Sequence, residues 1–545
     1  MIQRHVQLGT KGSTPFTNEA AQRNGILEQC APAPHPTRAS RSMWKPDEQP
    51  NDPIAHLMND LYYMGALLNE NFQILVFNEA PIDIIAMPYQ YLSSTILETA
   101  ARSRTRAAEG TKTQNSGLTE LDAIATKASH KNLVEKDLAF LQTHQCGGGW
   151  STEKLKKAGI HETDQCRHCG EAHGGNDLIW ECQHPEIIKA RTQADPEIAA
   201  IIRHIPDIIR RGIAPALSHQ PDETFWGTQL QGAINSLKII TGISEGPTDD
   251  YNAMGIIEKA KSLNVNARQL IASLRGGFGT GETPRYPENV QGEPPKKPNG
   301  YSDGGVKNPK SSEWQMAGFG MWWPEPPSVL EAEMMARYTF QEAVNEGTMM
   351  WGNMTGQHAH STRTELAALL VAMLRPIPLN IATDSQAMMD KANFLIDKAI
   401  LWQLRVGTEQ WSTANPCGKP WGLQADGDLW ERFWAASLLR GPRTLKLTKV
   451  KAHCGQKEIE EGIISKEDRT GNDHADTAAT AGAGQAYPGL LGLASWLAHR
   501  HDEYCNFMKR IHHVIIEVAK KEKELRDDYA KEERKSLNLK KNQKP

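Results

Sequence analysis

Five short polar motifs in the second half of the chain carry the residues best suited to chemistry. The central one is Thr383-Asp384-Ser385-Gln386, which follows a short strand-like run at 379–382. The other four, in chain order, are Tyr301-Ser302-Asp303-Gly304-Gly305, Ser361-Thr362-Arg363-Thr364-Glu365, Lys451-Ala452-His453-Cys454-Gly455 and Asn472-Asp473-His474-Ala475-Asp476. Carboxylates drawn together from separate elements repel one another unless cations neutralise them. Oxygen-only ligands suit Mg²⁺ or Mn²⁺, and two such ions can activate a water against a phosphodiester. The motifs therefore predict a metal-dependent nuclease.

Each acid lies at a junction between predicted elements. The run 379–382 predicts a short strand, so Asp384 falls at its end. Glu365 opens a helical run of apolar residues. Asp303 precedes two glycines, which permit a tight turn or a close approach of another backbone. The last acid is either Asp473 or Asp476, which sit about one helical turn apart in an Ala-rich helical segment.

The order of these motifs resembles that of the type 1 ribonuclease H domain, over residues 298–485. The resemblance implies an α/β fold, a mixed five-stranded sheet flanked by helices. The Asn-x-x-Ala-Asp spacing of that family favours Asp476 over Asp473. The carboxylates it implies as ligands of two Mg²⁺ ions, with Mn²⁺ as the alternative, are Asp303, Glu365, Asp384 and Asp476.

The same resemblance implies a proton carrier and a substrate. His453 would move protons or assist product release from a mobile loop, which Gly455 suits. The implied activity is endonucleolytic cleavage of the RNA strand of an RNA/DNA hybrid. The positions that match hybrid contacts in the family are Asn308, Ser361, Thr362 and Gln386. Ser361 and Thr362 stand where asparagines are common.

A second chemical signal lies upstream, at Cys166-Arg167-His168-Cys169. Thiolates on a Cys-x-x-Cys turn can bind Zn²⁺ tetrahedrally. Cys182 would be the third ligand, with His173 or His184 as the fourth. The alternative is a reduced cysteine cluster that binds no metal.

The cysteine segment resembles the zinc-binding segment behind the reverse transcriptase of non-LTR (LINE-type) retrotransposons. The matching residues are Gly147-Gly148-Gly149-Trp150, Lys157-Ala158-Gly159-Ile160, the Cys-x-x-Cys-Gly turn and Ile179-Trp180-Glu181-Cys182. That family commonly has His where Asp177 stands, and His173 is the nearest substitute. The chain contains no Tyr-x-Asp-Asp polymerase motif, so the resemblance implies a part that follows the polymerase.

Composition limits the class of protein. At 545 residues several domains are expected, and a net charge of -4 requires any nucleic-acid site to be a local patch. Eight cysteines over this length predict a reducing compartment rather than a disulfide scaffold. Neither a signal-peptide core nor an apolar run of membrane-spanning length is found. These features predict a soluble intracellular protein of the nucleus or cytoplasm, without a membrane partner.

Periodicity and composition divide the chain into seven predicted segments. They are a disordered N-terminal segment (1–53), a helical region (54–145), a candidate zinc knuckle (146–185), a second helical region (186–275), a Gly/Pro linker (276–297), the ribonuclease H-like domain (298–485) and a charged helical tail (486–545). The stretch 511–545 is interpreted as a solvated helix with a basic end. Residues 324–348 form an insertion without an assigned role, and the strand at Tyr301 is expected to be short.

Two functions from different classes follow. The first is an active, retroelement-derived ribonuclease that cuts RNA/DNA hybrids. The second is a non-catalytic nucleic-acid-binding relic that keeps the fold. All four carboxylates are present, which favours the enzyme.

Overall fold

The chain divides into two compact units. The first comprises Met1–Ala100 with Gly246–Ala498, and the second Ala101–Glu245 with His499–Pro545. The computed structural model describes residues 66–69, 73–76, 81–83, 120–147, 156–159, 162–171, 178–216, 284–310, 314–344, 347–354, 360–406, 416–485 and 489–542, with single residues or pairs between 61 and 118. The predicted disordered segment and the stretch 217–283 lie outside these residues.

The described residues form strands, α-helices and short 3₁₀ helices. The strands are β1 (Ala66–Leu68), β2 (Gln73–Val76), β3 (Ile82–Asp83), β4 (Gly300–Lys307), β5 (Met316–Trp323), β6 (Phe340–Val344), β7 (Gly347–Asn353), β8 (Leu379–Thr383) and β9 (Leu445–Lys449). The α-helices are α1 (Ala123–Thr126), α2 (Glu135–Gln145), α3 (Leu178–Glu181), α4 (Pro185–Ala194), α5 (Pro196–Ala200), α6 (Asp207–Arg210), α7 (Val329–Met335), α8 (Ser361–Ala372), α9 (Gln386–Val406), α10 (Gly427–Arg440), α11 (Gln456–Glu460), α12 (Lys466–Gly484) and α13 (Leu490–Asn542). The 3₁₀ helices are His130–Asn132, Ile202–His204, Trp421–Leu423 and Pro442–Thr444.

Strands β1, β2 and β3 form a small antiparallel sheet. The sequence predicted helix throughout 54–145, and for this part that prediction is wrong. Ile74 and Val76 are buried while their neighbours in β2 are partly exposed, which is the two-residue alternation of a strand. The Asn69 side chain, just after β1, accepts a hydrogen bond from the Gln73 backbone N–H at the start of β2, at 2.8 Å. Local hydrogen bonding of this kind overrides the helical spacing of nearby leucines.

A mixed sheet of six strands, in the order β6-β7-β5-β4-β8-β9, organises the first unit. Strands β4, β5, β7 and β6 pair antiparallel, while β4, β8 and β9 are parallel. The sequence predicted five strands; the sixth is β6, which the 324–348 insertion adds beside β7 as a new edge. The mixed sheet with its helices is compatible with a ribonuclease H-like fold.

Strand β4 is longer than the sequence predicted. It runs for eight residues because it pairs along its length with β5 and, at its start, with β8. The polar residue Asn299, just before the strand, connects it to the segment around β8. Its side chain donates to the Pro378 carbonyl at 2.9 Å and accepts from the Asn380 backbone N–H at 2.8 Å. Tertiary pairing therefore decides the length of a strand whose own residues have low strand propensity.

Strand β5 presents large apolar side chains on one face and glycines on the other. Phe319, Met321 and Trp323 belong to the buried core that α8, α9 and α10 share with the sheet. Gly318 and Gly320 point the opposite way, towards α12, because side chains alternate across a strand. A Cβ at Gly320 would clash with the backbone N of Ala479. Helix α12 can approach so closely because the residues of α12 that meet these glycines are all small, namely Ala475, Ala478, Ala479, Gly482 and Ala483.

The segment 284–297 packs on the first unit, although its composition predicted a linker. The Asn289 and Val290 N–H groups donate to the carbonyls of Leu439 and Arg440, each at 2.9 Å. The Asn380 side chain donates to the Pro295 carbonyl at 2.9 Å. The prolines thus lie in extended chain that is hydrogen-bonded to the end of α10 and to β8. The boundaries of the seven predicted segments stay predictions.

The second unit has its own apolar core, to which the C-terminal helix contributes. The residues of α13 in this core are Tyr504, Phe507, Met508, Ile511, Val514, Ile515 and Val518. The interpretation of 511–545 as a solvated helix is therefore wrong for its first part, since apolar side chains at helical spacing pack inward there. Further along, residues 531–536 are exposed, as predicted.

No helix among the described residues is long and apolar enough to cross a membrane.

The glycine face of β5 generates a stability prediction. Gly320→Ala should destabilise the first unit by roughly 1–3 kcal/mol, because the new methyl group meets helix backbone that cannot move aside. Urea unfolding followed by tryptophan fluorescence would measure this. Gly484→Ala is the matched control, since a Cβ there comes no closer than 3.7 Å to the Leu491 side chain. Equal midpoints for the two variants would contradict the packing argument.

Candidate active site and metal centres

Strand register brings the first two acids together. Ser302 of β4 is paired with Thr383 of β8 in a parallel ladder. The residues that follow them, Asp303 and Asp384, therefore lie side by side, with Asp384 just beyond the end of β8. The sequence predicted Asp384 at a strand end, and this is confirmed.

Gly304 brings in the third acid. A Cβ at Gly304 would lie 2.5 Å from the backbone N of Glu365, closer than real side chains approach. The first turn of α8 therefore lies directly against β4, and Glu365 enters the space beside Asp303. Of the two roles that the sequence allowed for the glycine pair, Gly304 has the close approach and not the tight turn, since it lies within β4.

The three carboxylates form one cluster. One oxygen from each of Asp303, Glu365 and Asp384 lies within 4.8 Å of the others. Asp303 and Glu365 are buried and Asp384 is half-buried. The Asp303 carboxylate accepts a hydrogen bond from the Gly304 N–H at 2.8 Å, and the Thr383 hydroxyl donates to Glu365 at 3.5 Å. These two neutral donors offset only a small part of the repulsion among the three carboxylates.

Burial and mutual repulsion shift the acidities of the cluster. Burial first, and then the negative charge of Asp384, raise the pKa of Asp303 to about 6. Burial, followed by the charges of Asp303 and Asp384, holds the pKa of Glu365 well above its ordinary value. A divalent cation would remove this repulsion, and a set of donors made only of carboxylate oxygens fits Mg²⁺ or Mn²⁺. The residues present therefore fit the metal that the sequence predicted.

Asp476 lies on α12, exposed, beyond the three-oxygen cluster. Its charge is nevertheless among those that raise the pKa of Asp303. Asp473, the alternative that the sequence left open, forms an ion pair with Arg469 of its own helix at 3.4 Å. The structure thus brings Asp476 within electrostatic reach of the cluster and gives Asp473 a different partner.

His453 lies in the loop between β9 and α11, exposed to solvent. Its φ of 49° is in the left-handed region that non-glycine residues seldom adopt. The loop starts beside the cluster, because the Val450 N–H donates to the Thr383 carbonyl at 3.0 Å. It ends at Gly455, whose N–H donates to the Glu458 carboxylate at 2.8 Å. The imidazole is thus carried on a short loop whose two ends are hydrogen-bonded.

The four residues predicted to contact substrate divide into two groups. Ser361 and Thr362 lie in the first turn of α8, one turn before Glu365, and Gln386 is exposed at the start of α9. Asn308 lies five residues beyond Asp303, roughly 16 Å along an extended chain. Its side chain donates to the Trp314 carbonyl at 3.0 Å and to the Ser495 hydroxyl at 3.3 Å. The structure therefore does not bring Asn308 to the cluster.

A buried ion-pair network behind the cluster was missed from the sequence. Arg363 donates to both carboxylate oxygens of Asp428, at 2.9 and 2.6 Å, and to Asp426 at 3.3 Å. His360 contacts the Asp426 carboxylate at 3.1 Å. Burial opposes ionisation of Asp426, but the contacts with His360 and Arg363 prevail and lower its pKa. The network fixes the first turn of α8 against the start of α10. Its only sequence signal was an arginine among residues of a predicted apolar helix.

A second cluster lies in the second unit. The Sγ atoms of Cys166, Cys169 and Cys182 are within 4.8 Å of one another, and Cys166 lies 3.8 Å from Cys182. The contact with the Cys182 thiol lowers the pKa of Cys166, while the same contact raises that of Cys182. Three converging thiols fit Zn²⁺. Of the two candidates for the fourth ligand, His173 lies outside the described residues, and His184 caps α4 by accepting the Glu186 N–H on its Nδ1 at 3.3 Å.

Comparisons with known proteins give one match. No family model matches the chain. No curated protein matches it either. Among solved structures, the chain is similar to a foamy viral protease–reverse transcriptase in complex with an RNA/DNA hybrid, with 15% sequence identity and a TM-score of 0.21. The match covers 48% of this chain and 32% of that one, so the chain spans about a third of the viral protein. At this TM-score the likeness supports no functional argument, and the proposals below are drawn from the site and the sequence.

The raised pKa of Asp303 generates a test that needs no substrate. Its folded-state pKa of about 6 lies above the ordinary 3.8, so without cations stability falls as pH rises through that window. Asp303→Asn should therefore stabilise the cation-free protein at pH 8 by roughly 1–3 kcal/mol. It should also reduce the increase in melting temperature that Mg²⁺ gives the parent, which calorimetry would measure.

Asp473→Asn is the matched control for this experiment. It removes an exposed carboxylate that is paired with Arg469, outside the cluster. Its melting temperature should follow that of the parent at each pH and Mg²⁺ concentration. A cation-free Asp303→Asn protein less stable than the parent at pH 8 would show that the three carboxylates do not repel one another.

Proposed function

We propose that this chain is a retroelement-derived endoribonuclease with a ribonuclease H-like domain, which hydrolyses the RNA strand of RNA/DNA hybrids. The observation that carries the proposal is the cluster of Asp303, Glu365 and Asp384, two of them buried, beside the ends of parallel strands. Burying two acids beside a third opposes folding, and such a cost is typical of a site that binds a cation. The order of the five motifs supports the choice of reaction.

The chain's own residues would divide the work between an inner and an outer pair of acids. When bound, two Mg²⁺ ions supply the activation of a water and the stabilisation of the leaving oxygen. Asp303 and Glu365, both buried, would bind a cation because its charge relieves the repulsion between them. The hydrogen bond from the Thr383 hydroxyl would orient the Glu365 carboxylate. Asp384, half-buried, and Asp476, exposed, would face the side from which the substrate enters.

His453 would carry protons between the site and solvent. Its imidazole is exposed, and histidine is the side chain that most often transfers protons in enzymes. The left-handed backbone at His453 places it on a loop anchored beside Thr383, without a direct part in the carboxylate cluster. Its loss should therefore slow the reaction without removing the metal ligands.

An RNA strand would be selected by its 2′-hydroxyls, which line a wide, shallow minor groove. The hydroxyls of Ser361 and Thr362 can donate to and accept from such groups, and they precede Glu365 by one helical turn. Gln386 follows Asp384 by two residues and is exposed, with its amide donating to the Asp390 carboxylate at 2.6 Å on the surface of α9. Asn308 is left out of this set, because it lies five residues beyond Asp303 and its amide is bonded to the Trp314 carbonyl and the Ser495 hydroxyl.

Cleavage of a labelled RNA/DNA hybrid by the full chain tests the proposal. With Mg²⁺ the parent should cut the RNA strand and leave duplex DNA intact. Asp384→Asn should reduce the rate to background, and extra Mg²⁺ should not restore it. His453→Ala should retain a measurable rate, since general acid–base assistance contributes roughly 10²–10⁴-fold.

Neighbouring acids of α12 provide the control. Asp476→Asn should impair cleavage, whereas Asp473→Asn should stay close to the parent rate. Equal effects of the two changes would remove Asp476 from the ligand set. A parent chain that binds the hybrid but does not cut it in Mg²⁺ or Mn²⁺ would favour the non-catalytic relic.

We further propose that Cys166, Cys169 and Cys182 bind Zn²⁺ in the second unit, with a histidine as fourth ligand. The proposal is supported by the convergence of the three Sγ atoms within 4.8 Å. The cluster belongs to the same apolar core as residues 504–518 of α13. A bound metal would therefore stabilise this unit.

Metal content and stability test the zinc site in the full chain. The purified protein should contain about one equivalent of zinc, as a tetrahedral thiolate site does, and chelation should lower the melting temperature of the second unit. Cys182→Ser should abolish both effects. Cys146→Ser, at an exposed cysteine outside the cluster, should preserve them. A metal-free protein whose melting is unchanged by zinc would exclude the site.

A further inference from the structure

The insertion at 324–348 contains the helix α7 (Val329–Met335). Ser328 and Glu331 form a capping box at its start, with a 2.7 Å hydrogen bond from the Ser328 N–H to the Glu331 carboxylate. Glu331 also pairs with Arg375 at 3.2 Å, and the Arg375 guanidinium lies 4.5 Å from the centre of the Trp323 ring. Met335 is fully buried. The helix is thus held to the core from its first to its last turn.

The outer side of this anchored helix is apolar. Leu330 and Val329 are 79% and 75% exposed, the highest values among the large apolar side chains that the structure describes. Single exposed apolar residues are common, but these two are adjacent in sequence on a helix that is anchored to the core, and Leu330 also lines the cavity described next. Phe340, at the start of the edge strand β6, is 51% exposed. The insertion therefore presents an ordered apolar surface to solvent.

A cavity of about 700 Å³ opens beside this surface. Its lining residues are Arg285, Leu330, Glu333, Met334, Arg337, Tyr338 and Leu374. Met334, Tyr338 and Leu374 supply an apolar floor that is partly or fully buried. The volume is large enough for one or two bulky side chains or a small ligand. Leu374 lies nine residues beyond Glu365, roughly 13 Å along a helical path, so the cavity is separate from the carboxylate cluster.

The charged residues that line the cavity indicate which kind of partner would bind there. Arg285 and Arg337 are exposed, and among the described residues neither forms an ion pair within 4 Å. Glu333 is the one acid in the lining, so the rim has a net positive charge. A nucleic acid is the less suitable partner, since Glu333 would repel its phosphates and the most exposed side chains, Val329 and Leu330, are aliphatic and offer bases no face for stacking. A second copy would present the same positive rim.

We propose that this surface docks an acidic segment of a partner protein. One bulky apolar side chain of that segment would enter the cavity, against Met334, Tyr338 and Leu374. Flanking Asp or Glu side chains would pair with Arg285 and Arg337, and a second apolar residue would cover Leu330. This site adds a protein-binding role to the chain that does not depend on hybrid cleavage.

Selection from a random 12-residue peptide library on the immobilised full chain tests this inference. Recovered peptides should share a Leu, Met or Phe flanked by Asp or Glu. Their affinity, measured by fluorescence anisotropy, should fall roughly tenfold or more for Val329→Glu/Leu330→Glu, which removes two apolar contacts. Arg285→Glu/Arg337→Glu should change the selected flanks from acidic to basic residues. This switch would not follow from a merely structural defect.

Val134→Glu is the matched control, because Val134 is 67% exposed but lies in the second unit. It should leave peptide affinity unchanged, and none of these variants should change hybrid cleavage, which separates this inference from the proposed nuclease. The proposal is overturned if the selected peptides bind the Val329→Glu/Leu330→Glu protein equally well. It is also overturned if light scattering detects a dimer that this change abolishes, since a second copy would then occupy the surface.

Discussion

Helices α8 and α12 can reach the central strands only where those strands have no side chain. Gly304 admits the first turn of α8, and Gly318 and Gly320 admit the backbone of α12 on the opposite face. Any Cβ at these positions would meet helix atoms closer than real contacts allow. Asp303, Glu365 and Asp476 come from these elements, so their separation is set by backbone contact rather than by flexible side chains. The same requirement explains why the inner face of α12 is composed of alanine and glycine.

The buried carboxylates lower the stability of this unit, while the packing around them raises it. Burial raises the pKa of Asp303 and Glu365, and the neighbouring charges raise them further. The rest of the unit offsets this cost through apolar packing on the other side of the sheet and through the Arg363 network behind α8. In that network a guanidinium faces the carboxylates of Asp426 and Asp428. The carboxylate cluster of Asp303, Glu365 and Asp384 contains no basic side chain, as expected of a site that binds a cation.

Local patterns in the sequence were sufficient for some of this arrangement. The strand before Asp384 and the helix that starts near Glu365 follow from a few adjacent residues, and both are present. Strand β6 and the length of β4 could not be predicted in this way, because they depend on pairing with β7, β5 and β8. The partners of Arg363, Asp426 and Asp428, lie more than sixty positions later in the chain, so local patterns could not identify them. The burial of α13 likewise depends on residues from the middle of the chain.

The glycine face of β5 also has a consequence for synthesis on the ribosome. The strand is complete at Trp323, but the helix that covers its glycines does not start until Lys466. While the intervening residues are being translated, one face of the nascent sheet remains uncovered and open to wrong partners. The helix that closes this face also carries Asp476. A chain that terminates before α12 therefore lacks both the helix that covers the glycines and the fourth acid. Synthesis of α12 completes the packing of the sheet and the proposed set of metal ligands in the same step.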